Sequence, residues 1–143
     1  GVPSSAMPAG SVLQVVSSTY STSTSSSSAS YSDTGLTASI TPTSSSSKIL
    51  VIVSQSGLNT ELANNGINVK LVRGGTDLIV FAVAYNYSGG GAICGASASY
   101  LDSPATTSST TYKTQLARFA GGGTVSTQSN QDASTITLME IAA

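Results

Sequence analysis

Any chemistry in this chain would have to come from carboxylates, hydroxyls, tyrosines and one thiol, because its 143 residues include no histidine. Without an imidazole, neither a Ser-His-Asp nor a Cys-His nucleophile can be assembled, nor a histidine metal site. The six carboxylates, Asp33, Glu61, Asp77, Asp102, Asp132 and Glu140, are scattered singly. No two stand at a spacing that suggests the acid and base of a glycan-cleaving enzyme, and most adjoin Ser, Thr, Gly or Asn, as turn or rim residues do. The glycine clusters at 89–91 and 121–123 lack a following Gly-Lys-Ser/Thr and match no phosphate-binding loop. Asn86-Tyr87-Ser88 is a glycosylation sequon, which matters only in a eukaryotic secretory setting. The sequence thus points away from an enzyme, with no catalytic residue, no metal site and no cofactor implied.

Recognition is better served. Tyr85-Asn86-Tyr87 reads as an aromatic loop on a glycine-rich base, and 126–132 as a polar turn carrying Gln128, Asn130, Gln131 and Asp132. A tyrosine ring offers an apolar face to a sugar ring, while Asn, Gln and Asp bind its hydroxyls, so these seven residues are the candidate glycan ligands. The alternative is that Tyr85 and Tyr87 cap the fold and the amides merely solvate a turn.

The elements that must position these loops are strands. Lys48-Ile49-Leu50-Val51-Ile52-Val53 is a run short and β-branched enough to be a central strand covered on both faces, and 78–84 is nearly as dense. Leu50→Ala is accordingly expected to cost about 2–5 kcal/mol. Further strands are expected at 11–16, 36–40, 67–72, 92–100, 110–119, 124–128 and 135–141. Of these, 67–72 is the clearest half-buried one, since Ile67, Val69 and Leu71 alternate with Asn68, Lys70 and Val72. The tract 17–30 reads as a flexible loop or an edge hairpin, 31–35 as a turn, 58–66 as irregular structure ending in an Asn-Asn-Gly turn, and Arg73-Gly74-Gly75-Thr76-Asp77 as a hairpin. Cys94, the only cysteine, excludes an internal disulfide and reads as a small buried hydrophobe.

Eight to ten strands without an amphipathic helical window predict an all-β chain, an antiparallel two-sheet β-sandwich of jelly-roll type. At 143 residues this is one domain, 10–143, preceded by an extended linker, 1–9, containing Pro3 and Pro8. Serine and threonine, about a third of the chain, coat solvent faces and turns rather than marking disorder, because aliphatics recur at strand spacing. Charged residues are 8% and the net charge is -1, so no basic field invites nucleic acid. No run approaches the 18 or so apolar residues of a membrane span. Two strands buried on both faces exceed what a small sandwich needs. Part of their burial is therefore expected between the subunits of a homotrimer, the alternative being that both cross the core of a single chain.

Four segments carry a resemblance: Gly10-Ser11-Val12-Leu13-Gln14-Val15-Val16, Ser46-Ser47-Lys48-Ile49-Leu50-Val51, Tyr100-Leu101-Asp102-Ser103-Pro104 followed by Thr110-Thr111-Tyr112-Lys113, and Thr135-Ile136-Thr137-Leu138-Met139-Glu140-Ile141. Together, in this order over 10–143, the chain resembles the C-terminal domains of tail fibres and related virion proteins of tailed bacteriophages. The resemblance implies a non-enzymatic, trimeric jelly-roll tip, similar to the complement C1q and tumour necrosis factor architecture. It would follow an upstream shaft and attach the virion to a bacterial surface glycan or other receptor beside other virion proteins. It also implies a place in the virion, on the tail or the capsid surface, after assembly in the host cytoplasm. The alternative within it is a capsid decoration or cement protein forming trimers on the phage head.

Overall fold

The computed structural model describes residues 1–143. Its strands are β1 (Val12–Tyr20), β2 (Thr24–Ser26), β3 (Ser32–Ile40), β4 (Lys48–Thr60), β5 (Asn65–Arg73), β6 (Thr76–Asn86), β7 (Ala92–Asp102), β8 (Thr110–Ala120), β9 (Val125–Thr127) and β10 (Ser134–Ile141). One sheet has β4 at its centre, with β10 and then β1 on one side and β7 on the other; the second runs β3-β8-β5-β6. Short β9 pairs with the end of β4, and β2 with β9. Every pairing is antiparallel. After β1 the chain crosses to β3, back to β4, across to the β5–β6 hairpin, back to β7, across to β8 and home to β10. That is the jelly-roll winding of an antiparallel sandwich.

Strand period two decides which side chains fill the space between the sheets. In the first sheet the rows Val16-Leu138-Val51-Tyr100 and Ser18-Ile136-Val53-Ala98 point inward across β1, β10, β4 and β7. Leu36, Ala38 and Ile40 of β3, Leu71 of β5 and Tyr112 of β8 meet them to form the larger apolar cluster. A smaller cluster joins Leu58, Ile67, Val69, Ala82, Leu116 and Val125. Between the two on β4 stands Gln55, and between them on β8 stands Thr114. These are the middle of a buried polar layer: Thr114 donates to Gln55 Oε1 at 2.8 Å and meets Thr34 at 2.6 Å, while Gln55 Nε2 donates to Thr127 at 2.7 Å and to Gln128.

Several expectations need correcting. β4 is central and both its edges are paired, but a single chain covers only one of its faces: Ile49, Val51 and Val53 are buried, Leu50 is half-buried and Ile52 is 41% exposed. The 78–84 run does not cross the interior of a single chain. It lies in β6, an edge strand, and Ile79, Val80 and Val83 are exposed. The strand expected to be half-buried, β5, is the one closed on both sides, with Lys70 and Val72 buried beside Val69 and Leu71. Cys94 is exposed on β7. Residues 31–35 do not form a turn, because β3 has already begun at Ser32. The 17–30 tract is not a hairpin: β1 runs on to Tyr20, and β2 pairs elsewhere. β4 continues past residue 57 through a bulge opposite Gly95, which Gly57 permits with its φ of 61° while the Ser129 amide presses against it. Residues 1–9 include a 3-10 turn, Ser4–Ala6, rather than being extended throughout.

These burials separate two substitutions that look alike in sequence. Leu138→Ala, at a fully buried side chain, is expected to lower unfolding free energy by about 2–5 kcal/mol. Leu50→Ala on the outward side should cost the isolated chain less than half as much. Urea unfolding of both variants checks this; equal losses would mean that the outward face is covered.

Candidate functional site

The structure divides the seven candidate ligands between two places. Tyr85 and Asn86 end β6, and Tyr87 follows with 83% of its surface exposed. The two tyrosine rings lie 4.5 Å apart at 57°, and Tyr85 is 5.9 Å from Phe119 of β8. Phe119 itself lies over Gly66, where any Cβ would strike its ring, so that glycine is what lets the aromatic tip form. Asn86 is buried and holds the loop closed: its Nδ2 donates to the Gly90 carbonyl at 2.7 Å and its Oδ1 accepts from the Ser88 amide at 3.1 Å. It shapes the tip and is not available to a ligand.

Gln128 is likewise internal. Its Nε2 donates to the carbonyl of Thr34 at 2.9 Å and of Thr22 at 3.2 Å, and its Oε1 accepts from Ser134 at 3.0 Å. Asn130, Gln131 and Asp132 are exposed, and Gln128, Asn130 and Gln131 all have left-handed backbone, with φ of 53°, 56° and 63°. Three such residues in one short segment store strain that the buried network must offset. The two candidate segments belong to different sheets, since 85–87 ends β6 beside β5 of the second sheet while 126–132 starts in β9, which pairs with β4 of the first. No hydrogen bond joins them. What remains of the first candidate is a tyrosine tip, extended by Phe119, which local sequence could not flag because β8 reaches it only through the sheet.

Two carboxylates are inside, Asp102, expected at a turn or rim, and Glu140, expected within the last strand. Asp102 and Glu140 flank Ile49 in one inward row, on β7 and β10, with Cα atoms roughly 10 Å apart from strand spacing alone. Each is already engaged. Arg73 grips both oxygens of Asp102 at 2.7 and 2.6 Å, and Tyr112 donates to it at 2.6 Å. Burial, and next the Asp102 carboxylate, push the Tyr112 phenol far above its ordinary value, so it remains a donor; the Asp102 hydrogen bond likewise raises Arg73. Glu140 accepts from Gln14 at 2.7 Å and from the Thr43 amide and hydroxyl at 2.7 and 2.9 Å. Burial alone would raise the Glu140 carboxyl, but these donors outweigh it and hold it below the usual glutamate range. Both acids are buried, with no cleft between them to admit a substrate.

Concavities are few. A depression of about 280 Å³ lies beside Ser4, Met7, Leu13, Thr43 and Ala142, and one of about 250 Å³ beside Asp33, Gly35 and Lys113. Neither is lined by a candidate ligand residue. No helix is long and apolar enough to cross a membrane.

The winding defines an antiparallel jelly-roll sandwich, and comparison with known proteins bears on the same point. No protein-family model matches the sequence, and no curated protein does. Among solved structures, the chain is similar to infectious bursal virus derived T=1 particles, with a TM-score of 0.50 at 14% identity over 93% of this chain and 37% of that one. It is also similar to the infectious bursal disease virus VP2 subviral particle, with a TM-score of 0.49 at 13% identity over 93% and 39% of the two chains. The chain therefore spans well under half the length of the viral chains it matches. At this identity the likeness speaks for the fold alone.

Because the folded Glu140 carboxyl titrates below its unfolded value, its contribution to stability is complete above about pH 4.5 and is lost as pH falls through the depressed value. Glu140→Gln should therefore flatten the fall in melting temperature as pH drops below about 4.5. Some slope should remain from Asp33, which is lowered first by the Gln115 hydrogen bond and also by Lys113. An unchanged slope would refute the assignment. Asn86→Ala should cost about 1–3 kcal/mol through its stranded buried acceptors, whereas Tyr87→Ala should leave the melting temperature unchanged; thermal unfolding distinguishes them.

Proposed function

We propose that this domain is a structural component of a virion surface, a jelly-roll unit that decorates or builds a viral shell in several copies and catalyses nothing. The observation that carries it is how the fold uses its groups. Both buried carboxylates are tied to structural partners, neither depression is lined by a candidate ligand residue, and apolar side chains are left bare on the outside of a sheet. That is an arrangement for packing against neighbours rather than for turning over a small molecule. The jelly-roll likeness to a chain of infectious bursal virus derived T=1 particles supports the same reading. So does the resemblance of the four sequence segments to virion proteins, which agrees in its structural half and differs in placing the domain on a tail fibre.

A fibre tip that attaches the virion to a host glycan is the second reading, and one feature favours it: the tyrosine tip of Tyr85, Tyr87 and Phe119, with Tyr87 almost wholly in solvent. A sugar ring could stack there and several copies would multiply weak contacts.

Gold-labelled antibody against the domain, imaged on the parent particle, is expected to decorate the shell. Label at fibre tips, together with host-cell binding that Tyr87→Ala weakens at least tenfold, would transfer the assignment to the second reading. Label on neither part of the particle would remove both.

A further inference from the structure

The loops between β4 and β5, β6 and β7, and β8 and β9 all lie at one end of the sandwich, because Thr60 pairs with both Ala92 and Val125, Asn65 with Asn86, and Gly66 with Ala120. Large apolar side chains crowd this end. Leu62, Tyr87 and Ile93 are each more than half exposed, Phe119 is 43% exposed, and Val83 stands bare a short way down β6. Apolar groups gathered in one place mark a contact surface, whereas scattered ones need no explanation. Charge is nearly absent. Residues 87–101 and 119–131 contain none, and the end holds one acid, Glu61, against one base, Arg118.

We infer that this end docks on a phospholipid bilayer, with Leu62, Tyr87 and Ile93 entering the boundary between headgroups and acyl chains. Such docking is independent of the shell reading, since a domain on any part of a virion surface has an end free to meet a membrane. The contact lies in the interface and crosses nothing, so it needs no spanning segment. Several copies on one particle would multiply a modest single contact.

Backbone chemistry and charge identify the occupant as lipid. A loop entering a medium poor in water must have its carbonyls and amides paired beforehand, and at this end inward side chains do much of that. Asn86 serves Gly90, Ser88 and, at 3.4 Å, the Thr60 carbonyl. Asn65 Nδ2 donates to the Thr124 carbonyl at 3.1 Å, and Arg118 to the Gly123 carbonyl at 3.2 Å. A protein partner would draw on about one hydrogen bond per 100–200 Å² of contact, using loop groups that are here already committed. A bilayer requires none. Tyr87 suits the same boundary, where a ring can lie among acyl chains and its hydroxyl among headgroups. With Glu61 and Arg118 of opposite sign, no net field favours an anionic surface, so zwitterionic lipid is the matching class.

The test is flotation of the purified chain with phosphatidylcholine vesicles, which carry neither sugar nor net charge. Wild type is expected to rise with the vesicles at low salt and equally in about 1 M salt, since apolar burial is not screened. Tyr87→Asp and Leu62→Asp, each checked for folding by circular dichroism, should raise the lipid concentration needed for half-flotation about tenfold or more, the loss expected from one buried apolar side chain. Ile93→Asp replaces Leu62→Asp if that chain does not fold. Ser45→Asp, which adds the same charge to the exposed connection at the opposite end of β4, should float as wild type does. Wild type that stays below the vesicles, flotation abolished by salt, flotation that both tip variants retain, or an equal loss in Ser45→Asp would overturn the inference. Wild type that ignores the vesicles yet binds host cells through Tyr87 would overturn it too and return this end to a glycan. None of these variants alters where gold label falls on the particle, so the lipid contact and the shell reading fail separately.

Discussion

Backbone pairing on both edges of β4 is the constraint on which the rest of the molecule depends. Thirteen residues are held by β10, and further along by β9, on one side and by β7 on the other. A strand so held cannot shift or twist out alone, and its period-two alternation then assigns every neighbour a face. Val51 fixes Leu138 and Tyr100 inward; Leu50 fixes Met139 and Leu101 outward. The bare outer row is thus a consequence of the filled inner one. The chain contains no arrangement in which one could be hidden without exposing the other.

Charge inside the sandwich is used to join layers. Asp102 belongs to the first sheet, while Arg73 and Tyr112 belong to the second, so this triad fastens the two sheets across the core rather than along either one. Glu140 fastens the last strand to the first through Gln14 and to the connection before β4 through Thr43. Buried ion pairs offset their own desolvation poorly and are weak evidence of stability, but the loss of one partner leaves a charge with nowhere to go. Their clearest effect is to make one packing of the sheets strongly preferable to its neighbours.

The strand content, the winding and the centrality of 48–53 were all legible in the sequence, because aliphatic runs and turn residues are local signals. Faces were not. A dense run such as Leu78-Ile79-Val80-Phe81-Ala82-Val83 reads as interior since nothing polar interrupts it, yet β6 is an edge strand. Conversely, Lys70 suggested a wetted side to β5, where its ammonium instead reaches Asp77 and lies 4.2 Å over the Tyr31 ring while its stem stays covered. Among the candidate ligands, the exposure of Tyr87 could be anticipated from its glycine-rich surroundings. The internal role of Gln128 could not, because its partners at Thr22 and Thr34 are distant in sequence, and Asn86, though its bonds to Ser88 and Gly90 are local, is buried only by the fold. Polar residue type says that an amide needs hydrogen bonds; only the fold says whether water or the protein supplies them.

The amide layer between the two apolar clusters bears on assembly fidelity. A strand displaced along its neighbour by two residues keeps its greasy side inward, so hydrophobic burial scarcely distinguishes the slipped ladder from the correct one. In this domain the same displacement would carry Gln55 out of reach of Thr114, Thr127 and Gln128 and strand its amide among hydrocarbon. One glutamine therefore acts as a proofreading mark for a chain whose long, serine-diluted strands would otherwise have many nearly equivalent ways to align.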